Sequence, residues 1–185
     1  MVLQREPESA TIFGFEEILP GTEAILSCSL NGQALPLQYG RSRPTKIEGE
    51  WMVELPPQKG GSKCDIQIVN TEEAIALDGV LFGDVWLCSG QSNMVFNMNG
   101  IFNHSEEIEE AAEFTDIRFT VIDRVTSDVE EEELTTSVNW SDPSDANALK
   151  KFSAVCFFYA KYVYTLQEGK LNVSNKNLLN LFFMN

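Results

Sequence analysis

Positive charge is scarce in this chain of 185 residues. Its 13 lysines and arginines face 28 aspartates and glutamates, which gives a formal net charge of −15 and a pI near 4.3. A chain this acidic repels phosphate backbones and anionic lipid surfaces, so we expect no binding to nucleic acid or to a membrane. Much of the acidity lies in two runs, Glu106 to Glu113 and Asp128 to Glu133, which are typical of solvated faces and loops.

Cysteine and histidine are also few. The four cysteines are Cys28, Cys64, Cys88 and Cys156, and the single histidine is His104. The absence of a Cys-x-x-Cys pair argues against the common zinc-finger spacings, and we predict no metal site and no cofactor. Cys88 and Cys156 lie in apolar contexts that are typical of buried small residues, whereas pairing of Cys28 with Cys64 stays open for a secreted chain.

Long hydrophobic runs are missing as well. No stretch approaches the length of a membrane span, and Met1 leads directly into Val2-Leu3-Gln4-Arg5 without the apolar core of a signal peptide. We therefore expect neither a transmembrane segment nor a signal peptide within these residues.

Residues 1 to 79 have the pattern of a β-rich module. Apolar side chains alternate with polar ones over Thr22 to Leu30, Glu50 to Leu55 and Cys64 to Ile68, and proline and glycine pairs separate these runs. Short strands at regular spacing between turns predict a β-sandwich-like accessory module, and no catalytic constellation is evident in it.

From residue 80 to residue 167 the pattern changes to α/β. The predicted elements are a strand at 84–88, an acidic helix at 106–114, a strand at 116–122, a loop at 126–149 and a long helix at 151–167. This order predicts the opening strands and helices of a parallel, three-layer α/β/α domain that is incomplete, because two strands alone leave exposed edges. Residues 168 to 185 are rich in asparagine, and we predict a disordered tail or a frayed helix there.

The predicted strand Asp84 to Cys88 ends at Ser89-Gly90. A short polar turn follows, Gln91-Ser92-Asn93, which we call the elbow. A strand–turn–helix unit holds a side chain at the carboxyl end of a strand, where open α/β sheets place their ligands. Of the elbow side chains, Ser92 is the best candidate nucleophile, and its backbone N–H is a candidate oxyanion donor. Gln91 and Asn93 are candidates for orienting substrate or capping the turn. The alternative for Ser92 is a helix N-cap without catalysis.

The stretch Gly83-Asp84-Val85-Trp86-Leu87-Cys88-Ser89-Gly90-Gln91-Ser92-Asn93-Met94 resembles the nucleophile block of the sialate O-acetylesterases, in the SGNH (GDSL-like) hydrolase superfamily. Met1-Val2-Leu3-Gln4-Arg5-Glu6-Pro7 and Ser153-Ala154-Val155-Cys156 are similar to further parts of that family. The resemblance covers residues 1 to 167. It implies an SGNH-type hydrolase domain and a serine carboxylic-ester hydrolase that removes O-acetyl groups from sialic acids or sialoglycans through an acetyl-enzyme on Ser92. It also implies a lysosomal or secreted protein.

The same resemblance implies parts of the site that this sequence does not match. In SGNH enzymes the base and its carboxylate come from an Asp-x-x-His block, and further oxyanion donors come from a glycine and an asparagine. The catalytic His and Asp are not present in this chain, because His104 has Ile101, not Asp, three residues before it. We therefore expect a truncated chain that is nearly inactive alone. A non-catalytic carbohydrate-binding or interaction module and a gene-model fragment stay open as alternatives, as does the oligomeric state.

Overall fold

Paired strands make up much of the structure, a computed structural model. It describes residues 1–15, 27–30, 33–35, 38–39, 50–69, 74–129, 135–170 and 179–184. The chain divides into two units, one of Leu3–Phe82 and one of Met1–Val2 with Gly83–Asn185. Each unit has its own strand pairing.

Antiparallel strands build the unit Leu3–Phe82. After β1 (Val2–Gln4), the strands are β2 (Thr11–Phe15), β3 (Ser27–Leu30), β4 (Gln33–Leu35), β5 (Gln38–Tyr39), β6 (Glu50–Glu54), β7 (Lys63–Val69) and the first part of β8 (Ala74–Ser89). One sheet has the order β2-β6-β5, and a second set pairs as β4-β3-β7-β8. Within its described residues this unit contains no helix.

The alternation predicted for 64–68 is confirmed on β7. Cys64, Ile66 and Ile68 are buried, whereas the residues between them face solvent. Along β6, Val53 and the following Leu55 are buried, as the alternating pattern predicts. Residues 22–26 of the first alternating run lie outside the described residues.

The second unit carries a mixed sheet. Its strands are the last part of β8, β9 (Arg118–Ile122), β10 (Thr136–Ser141) and β11 (Leu179–Met184), in the order β10-β9-β11-β8. β11 runs parallel to both β8 and β9, whereas β10 is antiparallel to β9. The predicted parallel arrangement is therefore correct for three strands and wrong for β10.

Two predicted irregular segments contain regular structure. The prediction of a disordered tail or frayed helix is wrong for Leu179–Met184, because its leucine and phenylalanine residues form a strand between β8 and β9. The prediction of a loop at 126–149 is wrong for β10, where Val138 is buried, and for α2 (Ala146–Leu149). Asp145 caps α2 by accepting hydrogen bonds from the N–H groups of Asn147 and Ala148.

The predicted helices are present with shifted ends. α1 spans His104–Ala111 and α3 spans Ala154–Lys170, and two 3₁₀ turns cover Ser92–Val95 and Met98–Gly100. The core of this unit lies between these helices and the sheet, and its largest buried side chains are Met98, Ile117, Phe119, Leu149, Phe152 and Phe157. Among the described residues, none of the helices has the length and apolar character needed to cross a membrane.

Candidate active site

The elbow has the strand–turn–helix form that the sequence predicts. β8 ends at Ser89, and Ser92 is the first residue of the 3₁₀ turn Ser92–Val95. Gln91 occupies the N-cap position without a side-chain capping bond, and its carbonyl accepts a hydrogen bond from Met94 N at 2.7 Å. Ser92 therefore lies one residue beyond the position that the capping alternative requires. The side chains of Gln91, Ser92 and Asn93 are all exposed at the carboxyl end of β8.

Contacts with the start of α3 fix the residues that follow Ser92. Ser153 Oγ lies 3.7 Å from Met94 Sδ, and Cys156 Sγ lies 3.4 Å from the same sulfur. Phe96 O accepts a hydrogen bond from Ala154 N at 2.9 Å. Contacts with α3 therefore anchor the turn through Met94. The polar side chains of Gln91, Ser92 and Asn93 face solvent, where a ligand could reach them.

A pair of thiols lies beside this anchor. Cys88, near the end of β8, and Cys156, on α3, are both free cysteines. The influence of the Cys156 thiol, followed by burial, raises the pKa of Cys88. The influence of the Cys88 thiol lowers the pKa of Cys156, against the opposing effect of burial and with help from Ser153. Ionisation of the pair therefore starts at Cys156.

The single histidine is not joined to the elbow. His104 begins α1 directly after Asn103, which has the left-handed φ of 55°, and its side chain is half-buried. In the part of the chain that the structure describes, Ser92 and His104 share no hydrogen bond. The geometry therefore brings Gln91, Ser92 and Asn93 together and leaves His104 outside the group.

The described residues contain no set of side chains that could bind a metal ion. No group of three or more histidine, cysteine, aspartate or glutamate side chains there is arranged to hold a metal ion. The elbow therefore offers a hydroxyl, two amide side chains and backbone N–H groups, which suit nucleophilic attack on a polarised carbonyl.

Two curated relatives of this chain are sialate O-acetylesterases. Sialate O-acetylesterase of Mus musculus is 35% identical over 178 residues, and that of Homo sapiens is 33% identical over 180 residues. The resemblance to the sialate O-acetylesterases is confirmed. Each match covers 90% of this chain, and the chain spans about a third of the length of these sialate O-acetylesterases. No family model matches the chain.

A solved structure shows the fold. A carbohydrate acetylesterase from Xanthomonas citri superimposes with a TM-score of 0.76 at 21% sequence identity. The match covers 98% of this chain and 37% of that protein. The chain therefore has a mixed α/β fold that a carbohydrate acetylesterase also has.

Sequence reasoning missed the support beneath the elbow. The roles of Met94 and Ser153 and the mutual influence of the Cys88 and Cys156 thiols were not predicted. One signal was present, because the apolar context of both cysteines placed them inside the same domain. Their mutual influence depends on how α3 packs on β8, which periodicity does not specify.

Proposed function

We propose that this chain carries the nucleophile segment of a sialate O-acetylesterase, a serine carboxylic-ester hydrolase that removes O-acetyl groups from sialic acids. The observation that carries the proposal is the exposed Ser92 hydroxyl on a 3₁₀ turn at the end of β8, in a chain similar to the sialate O-acetylesterases over 90% of its length. The substrate class follows from the names of those relatives, and a lysosomal or secreted location belongs to the same proposal.

The chemistry at Ser92 is acyl transfer in two steps. Ser92 Oγ attacks the acetyl carbonyl, the sugar hydroxyl leaves with a proton, and water then hydrolyses the acetyl-enzyme. The Ser92 N–H is free to face the developing oxyanion, because the first residue of a helical turn has no intrahelical acceptor. Gln91 and Asn93 flank the hydroxyl, and we assign them to orienting the substrate.

The base is proposed to come from outside these residues. A serine hydroxyl needs a positioned base, and His104 has neither a hydrogen bond to Ser92 nor an aspartate three residues before it. The relatives are about three times longer than the part matched here, which leaves room for an Asp-x-x-His block and further oxyanion donors. We also propose that the unit Leu3–Phe82 is a β-sandwich-like accessory module and that the second unit is part of a three-layer SGNH-type domain.

Chemical rescue tests this assignment. Hydrolysis of an O-acetylated sialic acid by the chain is measured with and without imidazole, which supplies the missing base. We expect near-background hydrolysis without imidazole, and an imidazole-dependent rate in the chain that exceeds the rate of its Ser92→Ala variant. Ser89→Ala is the matched control, since this neighbouring hydroxyl lies on β8 outside the turn. Equal rescue of the chain and its Ser92→Ala variant would argue against Ser92 as the nucleophile.

A non-catalytic glycan-binding module is the second candidate, and the lack of a hydrogen bond between His104 and Ser92 among the described residues favours it. Such a module binds O-acetylated sialoglycans without turning over the ester. Glycan binding that is unchanged in the Ser92→Ala variant, together with no rescue by imidazole, would support it over the esterase.

A further inference from the structure

Helix α3 carries apolar side chains on two sides. One side packs into the core of its unit, where Phe157 and Ala160 are fully buried. The other side has four large apolar residues that remain 38–63% exposed: Val155, Phe158, Tyr159 and Tyr162. Their spacing of three and four residues places them together on one face of the helix. A helix that is apolar on both sides is typical of one that is covered on both sides.

Trp86 on β8 extends this exposed surface. It is 39% exposed, and the centre of its ring lies 5.3 Å from that of Tyr159 in an edge-to-face contact. The contact joins the strand to the helix, so the exposed aromatic groups form a cluster rather than lying singly. We call Trp86 and the four exposed residues of α3 the α3 patch. None of its five side chains is charged, and Lys161 of the same helix bonds instead to Glu107 and Glu110 on α1.

We propose that the α3 patch is the docking surface for the part of a sialate O-acetylesterase that lies outside the third matched here, which we call the remainder of the enzyme. This inference rests on the proposed function, which assigns the catalytic base to polypeptide outside these residues. The chain spans 32–33% of the length of its relatives and 37% of the solved carbohydrate acetylesterase. A long polypeptide is therefore available to cover the patch, whose spacing suits the apolar face of another helix.

Charge disfavours a second copy of this chain as the occupant of the patch. Each copy has a formal net charge of −15, so two copies repel each other. The remainder of an enzyme is instead joined to the matched part by the backbone, which holds it near the patch at a high effective concentration. The observations therefore favour the remainder of the enzyme over self-association.

A chimera tests the docking directly. Residues 1–170 of this chain replace the aligned third of the Mus musculus sialate O-acetylesterase, and hydroxyl-radical footprinting compares side-chain exposure in the chimera and in the chain alone. We expect the aromatic residues of the patch to react at least about fivefold more slowly in the chimera, because the remainder of the enzyme excludes solvent from them. Phe102, which is 89% exposed and lies outside the patch, is the matched control that reacts in both proteins. Sedimentation at the same concentrations gives the oligomeric state, and protection that appears only with a dimer of the chain would overturn the proposal.

The Ser92→Ala variant of this chimera separates the inference from the proposed function. We expect it to protect the patch as fully as the unsubstituted chimera, since Ser92 lies on the 3₁₀ turn and not in the patch. Protection of the patch without any hydrolysis would contradict the proposed function and support the docking. Hydrolysis by a chimera with an unprotected patch would contradict the docking and support the proposed function.

A lysine substitution gives a second test that does not need the chimera to fold. Tyr162→Lys in the chain alone is expected to leave the urea midpoint nearly unchanged, because Tyr162 is 63% exposed. A lysine at the aligned position of the full-length Mus musculus enzyme is expected to lower the urea midpoint, because it places a charge in an apolar contact. The proposal fails if the patch reacts equally in the chain and in the folded chimera, or if the lysine is as harmless in the full-length enzyme as in the chain.

Discussion

At the residue scale, some side chains next to Ser92 are exposed to solvent, and another anchors the turn to α3. Gln91, Ser92 and Asn93 are exposed, whereas Met94 turns inward toward Ser153 and Cys156 on α3. A thioether suits this place, because it is flexible and polarizable and fills an irregular space between other sulfur and hydroxyl groups. The position of the Ser92 hydroxyl therefore depends on a residue that takes no part in the chemistry.

Removing the Met94 side chain tests this support. Met94→Ala is expected to lower the free energy of unfolding by about 1–3 kcal/mol, since Met94 is only partly buried and a fully buried methionine costs more. Met94→Leu conserves volume and is expected to cost less than about 1.5 kcal/mol. Urea denaturation measures both, with the exposed Asn93→Ala as the matched control. A Met94→Ala variant as stable as the Asn93→Ala variant would show that the anchor carries no stability.

The sequence predicted the exposed half of the elbow and not its buried half. The block Gly83 to Met94 identified Ser92 together with Gln91 and Asn93, because the order of residues in a strand–turn–helix is a local property. The partners of Met94 lie about sixty residues later in the chain, at Ser153 and Cys156. Such contacts arise from tertiary packing, which a local pattern does not encode.

At the scale of elements, two interactions tie α1 to α3. Lys161 Nζ on α3 lies 3.0 Å from Glu107 Oε2 and 3.0 Å from Glu110 Oε1 on α1. The same ammonium group lies 5.8 Å from the centre of the Phe114 ring. The acidic run that begins at Glu106, which the sequence marked as a solvated face, thus includes two carboxylates that hold a helix pair together.

The pH dependence of stability follows from this ion pair. Burial alone lowers the pKa of Lys161, but the bonds to Glu110 and Glu107 outweigh it, and the pKa is raised above its usual value. Stability from a raised lysine is fully present below the unfolded pKa of ~10.4 and is lost as the pH rises through the folded pKa. Lys161→Met is therefore expected to lower the free energy of unfolding by at most about 1 kcal/mol at neutral pH, because solvent screens the ion pair. Above the pKa of the folded lysine, we expect the substitution to leave the free energy of unfolding unchanged.

Urea midpoints of the chain and of Lys161→Met, measured across the alkaline range, check this dependence. Lys151→Met is the matched control, since Lys151 is exposed and lies just before α3. A difference between wild type and Lys161→Met that persists above the pKa of the folded lysine would show that the side chain acts through packing rather than charge.

The edge strand β10 is attached to β9 by a buried side chain as well as by its backbone. Thr120, which is 3% exposed, donates a hydrogen bond from Oγ1 to the carbonyl of Val138 at 2.7 Å. The prediction of a loop here gave weight to the acidic residues before Thr136 and missed the short alternation over Thr136 to Trp140. Composition averaged over a long segment conceals a strand of six residues.

Substitution of Thr120 measures this attachment. Thr120→Val keeps the shape but removes the donor, and it is expected to cost about 1–2 kcal/mol because the Val138 carbonyl loses a buried partner. Thr120→Ser keeps the hydroxyl and loses a methyl group, which separates hydrogen bonding from packing. Thermal or urea unfolding gives both values. A Val variant as stable as wild type would mean that the β9–β10 contact does not need this bond.

At the scale of the whole molecule, alternation and helical spacing in the sequence predicted a change from a strand-rich region to an α/β region at residue 80. The structure divides the chain into one unit of Leu3–Phe82 and one of Met1–Val2 with Gly83–Asn185. α3 is rich in apolar residues, yet Val155, Phe158, Tyr159 and Tyr162 are exposed in the described chain. An apolar helix indicates burial in general but does not say which side is covered.

The strand Leu179–Met184 shows the same limit of prediction from sequence. β11 lies between β8 and β9, and its partners lie about ninety-five and about sixty residues earlier in the chain. Asparagine-rich composition predicted no structure there, and only the sheet as a whole provides the two edges that Leu179–Met184 pairs with. Non-local pairing of this kind depends on the assembled fold rather than on the segment.

The central claim is that Ser92 is the nucleophile of an acetylesterase whose base lies outside these residues. A chimera tests it most directly: residues Gly83 to Met94 of this chain replace the aligned segment of the Mus musculus sialate O-acetylesterase, to which the chain is 35% identical. We predict that the chimera hydrolyses O-acetylated sialic acid, that Ser92→Ala lowers its kcat/KM roughly 10⁴-fold or more, and that Ser89→Ala changes it little. A folded chimera that is inactive, or one whose activity survives Ser92→Ala, would contradict the account.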